Sequence, residues 1–106
     1  MKYYDYAPDN WVLIKVNGTD PHYRVFGSWK GGYLDGDAWR LNSGITSVEQ
    51  VEDYYYFHGN TGSVYRCHIK AYGRLGSYGW SQAQHICKDG NAYLMDEPEN
   101  ILEMKW

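Results

Sequence analysis

The chain is poor in several things that would have decided its class at once. No apolar run in its 106 residues is long enough to span a bilayer, and no heptad pattern or polar tract marks a coiled coil or a disordered tail. Lysine and arginine never form a block, and ten of them against thirteen acids leave a net charge of −3. A reader of duplex DNA needs a basic patch to neutralise phosphates, so that class is excluded. The acids form no stripe either, which argues against a DNA mimic. Met1-Lys2 leads straight into Tyr3-Tyr4-Asp5-Tyr6, so a secretory signal is not expected. Only two cysteines occur, Cys67 and Cys87, too few for a disulfide framework. They read as reduced thiols of a soluble intracellular protein, in which Asn17-Gly18-Thr19 is a turn and not a glycosylated sequon. No linker, repeat or low-complexity tract divides the sequence, which reads as one domain over 1–106.

What is abundant is tyrosine and glycine, 12 of each, with five tryptophans against only two phenylalanines. Mean hydropathy is −0.68, so much of the apolar area also carries an O–H or N–H. Glycine-type punctuation between β-branched and aromatic runs predicts a mostly-β α+β fold. The expected architecture is a small antiparallel twisted sheet or partly open barrel of about six or seven short strands, with one helix. Trp11–Val16 alternates, with Val12, Ile14 and Val16 on one face and Trp11, Leu13 and Lys15 on the other. His22–Trp29 returns after a turn containing Pro21, with Tyr23, Val25 and Gly27 facing one way and Arg24 and Phe26 the other. The glycine-rich window Lys30–Asp37 reads as a loop, Ala38–Leu41 as a short strand and Asn42-Ser43-Gly44 as a turn. Ile45–Gln50 and Asp53–His58 form a second hairpin turning near Glu52, and Gly59–Gly62 turns into a strand over Ser63–Ile69. Ser81 and Gln84 make a capping box with Trp80 at the staple position, predicting a helix over 81–88 that Lys88 and Gly90 close. Ala92–Met95 and Ile101–Met104 read as edge strands around Pro98.

Four constellations could carry chemistry. Cys67-His68 with His85-x-Cys87 supplies four soft ligands, but adjacent strand residues point to opposite faces, so no metal and no cofactor is expected. The two cysteines are expected to pack strand against helix in the interior. The same adjacency argues against a Cys67 nucleophile served by His68. His58 and His68, on strands joined by the Gly59–Gly62 turn, are the candidate acid/base pair if the protein is an enzyme, acting on a phosphodiester. Asp35-Gly36-Asp37 lacks the further ligands of a calcium loop and reads as turn chemistry. Trp29, Tyr33, Trp39, Arg40 and Asn42 form the densest cluster of recognition residues, with rigid aromatic area and a planar guanidinium fork.

The segments Trp29-Lys-Gly-Gly-Tyr-Leu-Asp-Gly-Asp-Ala-Trp-Arg-Leu-Asn-Ser-Gly-Ile45 and Gly62-Ser-Val-Tyr-Arg-Cys-His68, with Tyr72-Gly73, resemble two motifs of small bacteriophage accessory proteins. The resemblance covers residues 5 to 73. It implies a setting, the host bacterial cytoplasm, and an expectation that the protein blunts a host antiviral defence. The expected function is non-catalytic and stoichiometric, by capping a host protein or sequestering a nucleotide signal. The expected binding face comprises Tyr33, Trp39, Arg40, Asn42, His58, Tyr65 and His68, rimmed by the Gly31–Asp37 loop. The alternatives are a phosphodiesterase or nuclease using His58 and His68, and a virion or structural accessory protein. Membrane partners are not expected, and tyrosine-rich exposed edges are compatible with a homodimer.

Overall fold

The alternation in the first strand matters because both of its faces are buried. The computed structural model describes residues 2–30 and 38–106. Among these, β1 (Asn10–Val16), β2 (His22–Trp29), β3 (Ala38–Leu41) and β7 (Ala92–Leu94) form an antiparallel sheet in the order β3-β2-β1-β7. A second antiparallel sheet contains β4 (Ile45–Val51), β5 (Tyr54–Gly59) and β6 (Val64–His68) in chain order. The fold is therefore mostly β, as expected, but it is two separate sheets and not a closed barrel. One face of β1 and β2 presents Val12, Ile14 and Phe26 to Leu75 and Ala83 of the helical segment. The other presents Trp11, Leu13 and Val25 to Phe57, Tyr65 and Cys67 of the second sheet. The result is three layers, helix on sheet on sheet.

The helix α1 (Gly76–Ile86) begins five residues before the expected start at Ser81. Ser81 is an exposed residue inside it, and Leu75 occupies the cap position without a side-chain bond. Packing overrides the capping-box pattern here. Leu75 is buried, and Gly79 sits so close to β2 that an added Cβ would come within 3.3 Å of the Ser28 Cβ. The early turns are thereby held on the sheet. The helix also ends two residues before the expected Lys88, at Ile86, where the capping Cys87 N–H donates to the Ala83 and Gln84 carbonyls, and Gly90 turns the chain left-handed at φ +81° beyond that end. Ile101–Met104 is not an edge strand: Ile101–Glu103 is a 3-10 turn whose Ile101 side chain plugs the core between the sheets.

The two sheets are joined through Trp11 and Tyr72. The Trp11 indole is fully buried, and its N–H donates to the His68 carbonyl at 2.7 Å. The Trp11 carbonyl accepts from Gly73 N–H at 2.8 Å, which brings Tyr72 edge-on to the indole with centroids 4.8 Å apart. The Tyr72 hydroxyl accepts from Leu13 N–H at 3.1 Å and donates to the Met95 carbonyl at 2.7 Å, completing the β1–β7 seam. Burial pushes this phenol up to about 12, against the partly opposing Leu13 hydrogen bond.

Tyr72→Phe would leave an amide and a carbonyl of that seam without partners, and a loss of about 1–3 kcal/mol is expected in urea unfolding. The folded-state pKa lies above the unfolded value of about 10, so the hydroxyl's contribution is complete below that pH. It is lost as pH rises towards about 12. Stability measured against pH should fall less steeply in Tyr72→Phe than in the wild type across that window.

Candidate functional site

The chain leaves β3 and crosses to the second sheet through Asn42-Ser43-Gly44, and this crossing builds the site. Asn42 behaves as a one-residue extension of β3. Its N–H donates to the Val25 carbonyl at 2.9 Å, and its Oδ1 accepts from the Val25 N–H at 2.7 Å. Gly44 then turns with φ +140°, and its carbonyl accepts from Asn60 N–H at 2.9 Å. That bond seats the Gly59–Gly62 turn against the crossing, and Ser43 and Thr61 exchange a hydroxyl contact at 3.0 Å. On the open side, the N-terminal arm is stitched to β6. Asp5 Oδ2 accepts from Val64 N–H at 2.7 Å, and Arg66 N–H donates to the Tyr6 carbonyl at 2.8 Å.

These connections place Tyr6 beside Tyr65, with ring centroids 5.0 Å apart, and Arg40 over Tyr6 with its Cζ 4.2 Å from the ring centre. The cleft so formed has a volume of about 190 Å³, and its walls include Arg40, Asn42, Ser43, Thr61, Tyr6 and Tyr65. Burial pushes the Tyr65 phenol up, with the Arg40 charge pulling the other way, so the group remains a protonated hydroxyl at neutral pH. Asn42 is buried, and its Nδ2 has no hydrogen-bond partner among the described residues. The arrangement is a stacked guanidinium surrounded by hydroxyl and amide groups, which is chemistry suited to a phosphate or carboxylate.

Of the expected binding residues, Arg40, Asn42 and Tyr65 meet in this cleft. Trp39 does not. It lies on the opposite face of β3, stacked on Phe26 at 5.5 Å on the helix side of the sheet. Tyr33, Asp35, Asp37 and the rest of the Gly31–Asp37 rim lie outside the described residues. His58 and His68 share the outer face of the second sheet but occupy opposite ends of it, since His58 pairs with Val64 and His68 with Tyr54. Four residue steps along the strands separate them, about 13 Å, too far for a concerted acid/base pair. His58 Nε2 contacts Glu49 Oε1 at 2.8 Å, and Lys2 contacts the same oxygen at 2.9 Å. Lys2 first and His58 second hold that carboxyl below its usual range. His68 Nδ1 accepts from Lys70 N–H at 3.0 Å, capping the 3-10 turn that follows β6.

The cysteines do not pack against each other, which corrects the expectation of a strand-to-helix contact between them. Cys67 lies in the core between the sheets and Cys87 against the core under the helix, on opposite faces of the four-stranded sheet. They cannot share a metal with His68 and His85. Among the described residues no three His, Cys, Asp or Glu side chains converge. Burial pushes the Cys67 thiol well above its ordinary value, which makes it a poor nucleophile.

Tyr6, Ser43 and Thr61 complete the cleft although sequence reasoning did not select them. The Tyr3–Tyr6 run was the visible signal, but its partner is a strand 59 residues away. Asn42 carries a structural load that the sequence reading missed. Asn42→Ala strips the buried Val25 N–H of its acceptor and is expected to cost about 1–3 kcal/mol in urea unfolding. Arg40→Ala, at an exposed position, is expected to cost no more than about 1 kcal/mol.

Comparison with known proteins adds no further site: no family model, curated protein or solved structure matches the chain.

Proposed function

We propose that the protein is a non-catalytic accessory binding protein of phage type, acting in the host bacterial cytoplasm against an antiviral defence by sequestering a small nucleotide signal. The observation that carries this reading is Arg40, held over Tyr6 and beside Ser43, Thr61 and Tyr65 in a cleft of about 190 Å³. A guanidinium fork takes two phosphate oxygens, and the hydroxyls donate to the remainder. The chain is net acidic, so this concentration of donors around one cation is local and not a general attraction for anions. Capping of a host protein is favoured by a different observation. Trp39, Tyr78 and Trp80 remain exposed on the β3 and α1 elements, outside the cleft. The phosphodiesterase reading loses its support with the separation of His58 from His68.

Calorimetric titration with a panel of linear and cyclic nucleotides, followed by chromatography of the heat-released ligand, tests the proposal. Binding is expected, with intact ligand recovered and affinity reduced about tenfold or more in Arg40→Ala. Recovery of a cleaved product, with turnover abolished by His68→Ala, would replace sequestration by catalysis. No binding of any nucleotide, with a host protein captured through Trp39 and Trp80, would replace it by capping.

A further inference from the structure

Arg40 brings one positive charge to its cleft, and among the described residues nothing adds a second. The rest of the polar lining is hydroxyl and amide, from groups such as Ser43, Thr61, Ser63, Tyr65 and Asn42, with no acid and no histidine. The nearby cations are committed elsewhere. Arg66 lies on the outer face of the second sheet, with its Cζ 4.1 Å from the Tyr4 ring centre and 4.4 Å from that of Tyr54. Lys2 pairs with Glu49 at 2.9 Å. Arg24 belongs to a second cleft, of about 300 Å³, which it shares with Asp20. The Ser43–Thr61 and Gly44–Asn60 bonds close the seam between the two spaces. The sequence from 31 to 37 holds two aspartates and no lysine or arginine.

Behind the cleft, Asp5 supplies the opposite charge. Its Oδ2 accepts at 2.7 Å from the N–H of Val64, the residue between Ser63 and Tyr65. The Tyr3 hydroxyl first and that N–H second hold the Asp5 carboxyl below its usual range, so it is ionised at neutral pH. A phosphomonoester carries about −1.5 to −2 at pH 7, and its second charge would meet Asp5 with no further cation to offset it. A phosphodiester carries a single charge on two equivalent oxygens, which a guanidinium fork takes side by side. The volume of about 190 Å³ lies below the roughly 300 Å³ at which sites for whole small ligands begin, so the cleft seats one group of a larger molecule. We infer that the Arg40 cleft is selective for a phosphodiester monoanion, as a cyclic or 3′–5′-linked nucleotide carries, over a terminal phosphomonoester. This inference rests on reading the cleft as the phosphate site of a nucleotide.

The test is calorimetric titration of the wild type, Arg40→Ala and Thr61→Lys with 3′,5′-cyclic mononucleotides, 3′–5′ dinucleoside monophosphates, nucleoside 5′-monophosphates and inorganic phosphate. Each is measured at about pH 5 and about pH 7.5, on either side of the second phosphate pKa of about 6. At the higher pH at least one diester is expected to bind about tenfold or more tightly than the 5′-monophosphates of its own nucleosides. The ratio should narrow at the lower pH, where the monoester becomes a monoanion and the diester is unchanged. Thr61 is exposed on the cleft wall, so Thr61→Lys adds the missing cation without disturbing the core, and it should raise monophosphate affinity more than diester affinity. Monophosphates that bind as tightly as every diester at about pH 7.5, with binding lost in Arg40→Ala, would overturn the selectivity and leave the phosphate site standing. A diester preference that neither pH nor Thr61→Lys alters would overturn its basis in charge. Absence of binding by every probe, inorganic phosphate included, would overturn both the selectivity and the phosphate site.

Discussion

The hydrogen bond from the Trp11 indole to the His68 carbonyl is the constraint on which the rest of the molecule depends. It runs from the central sheet to the end of β6, and it does so from a side chain with no exposed surface. A buried indole N–H without a partner is costly, so the position of β6 relative to β1 is fixed to hydrogen-bond precision. Tyr72 strengthens the same junction by serving both an amide of β1 and a carbonyl beyond β7. With Tyr55 and Phe57 also arranged around Trp11, the tyrosines that make the composition unusual become the cement between two sheets. Their apolar rings fill the core, and the Tyr72 hydroxyl satisfies an amide and a carbonyl that no strand reaches.

That fixed relation is what lets two loops from different sheets act as one surface. The crossing at Asn42–Gly44 belongs to the first sheet through Val25, and the Gly59–Gly62 turn belongs to the second. Asn60 and Thr61 bind the two together at Gly44 and Ser43. Arg40 and Arg24 sit in the clefts on either side of this seam, each supported by a neighbouring ring, Tyr6 in one case and His22 in the other. The Arg40 cleft takes its walls from both sheets, so sheet packing and the proposed recognition are coupled: a change that lets the sheets slide also parts Arg40 from Thr61 and Tyr65.

Much of the fold is legible because strand periodicity is local. The bounds of β2 and β3 follow from turn chemistry and alternation, and the two faces of β1 sort as their spacing requires. The helix start is not legible, because Leu75 and Gly79 are fixed by contact with the sheet and the Ser81 capping pattern cannot compete. The site divides in the same way. Arg40, Asn42 and Tyr65 stand out as recognition residues, yet the period of two already places Trp39 on the far face from Arg40. The separation of His58 from His68 depends on register, and Tyr6 reaches Arg40 only through a pairing between distant segments. Residue type marks candidates; long-range register decides which of them meet.

The two histidines and the two cysteines, the residues that invite a catalytic reading, each have structural work. His58 is joined to the Lys2–Glu49 pair, His68 caps a turn, and the cysteines fill separate cores. The chemistry left over is that of Arg40 and the hydroxyls of the seam, the groups on which the proposed binding rests. Nitrogen-15 amide spectra recorded while a nucleotide is added locate the site directly. The account predicts shifts concentrated at Arg40, Ser43, Gly44, Asn60 and Thr61, with His58 and His68 unmoved. Shifts centred instead on His58 and His68, or on Trp39 and Trp80, would contradict it.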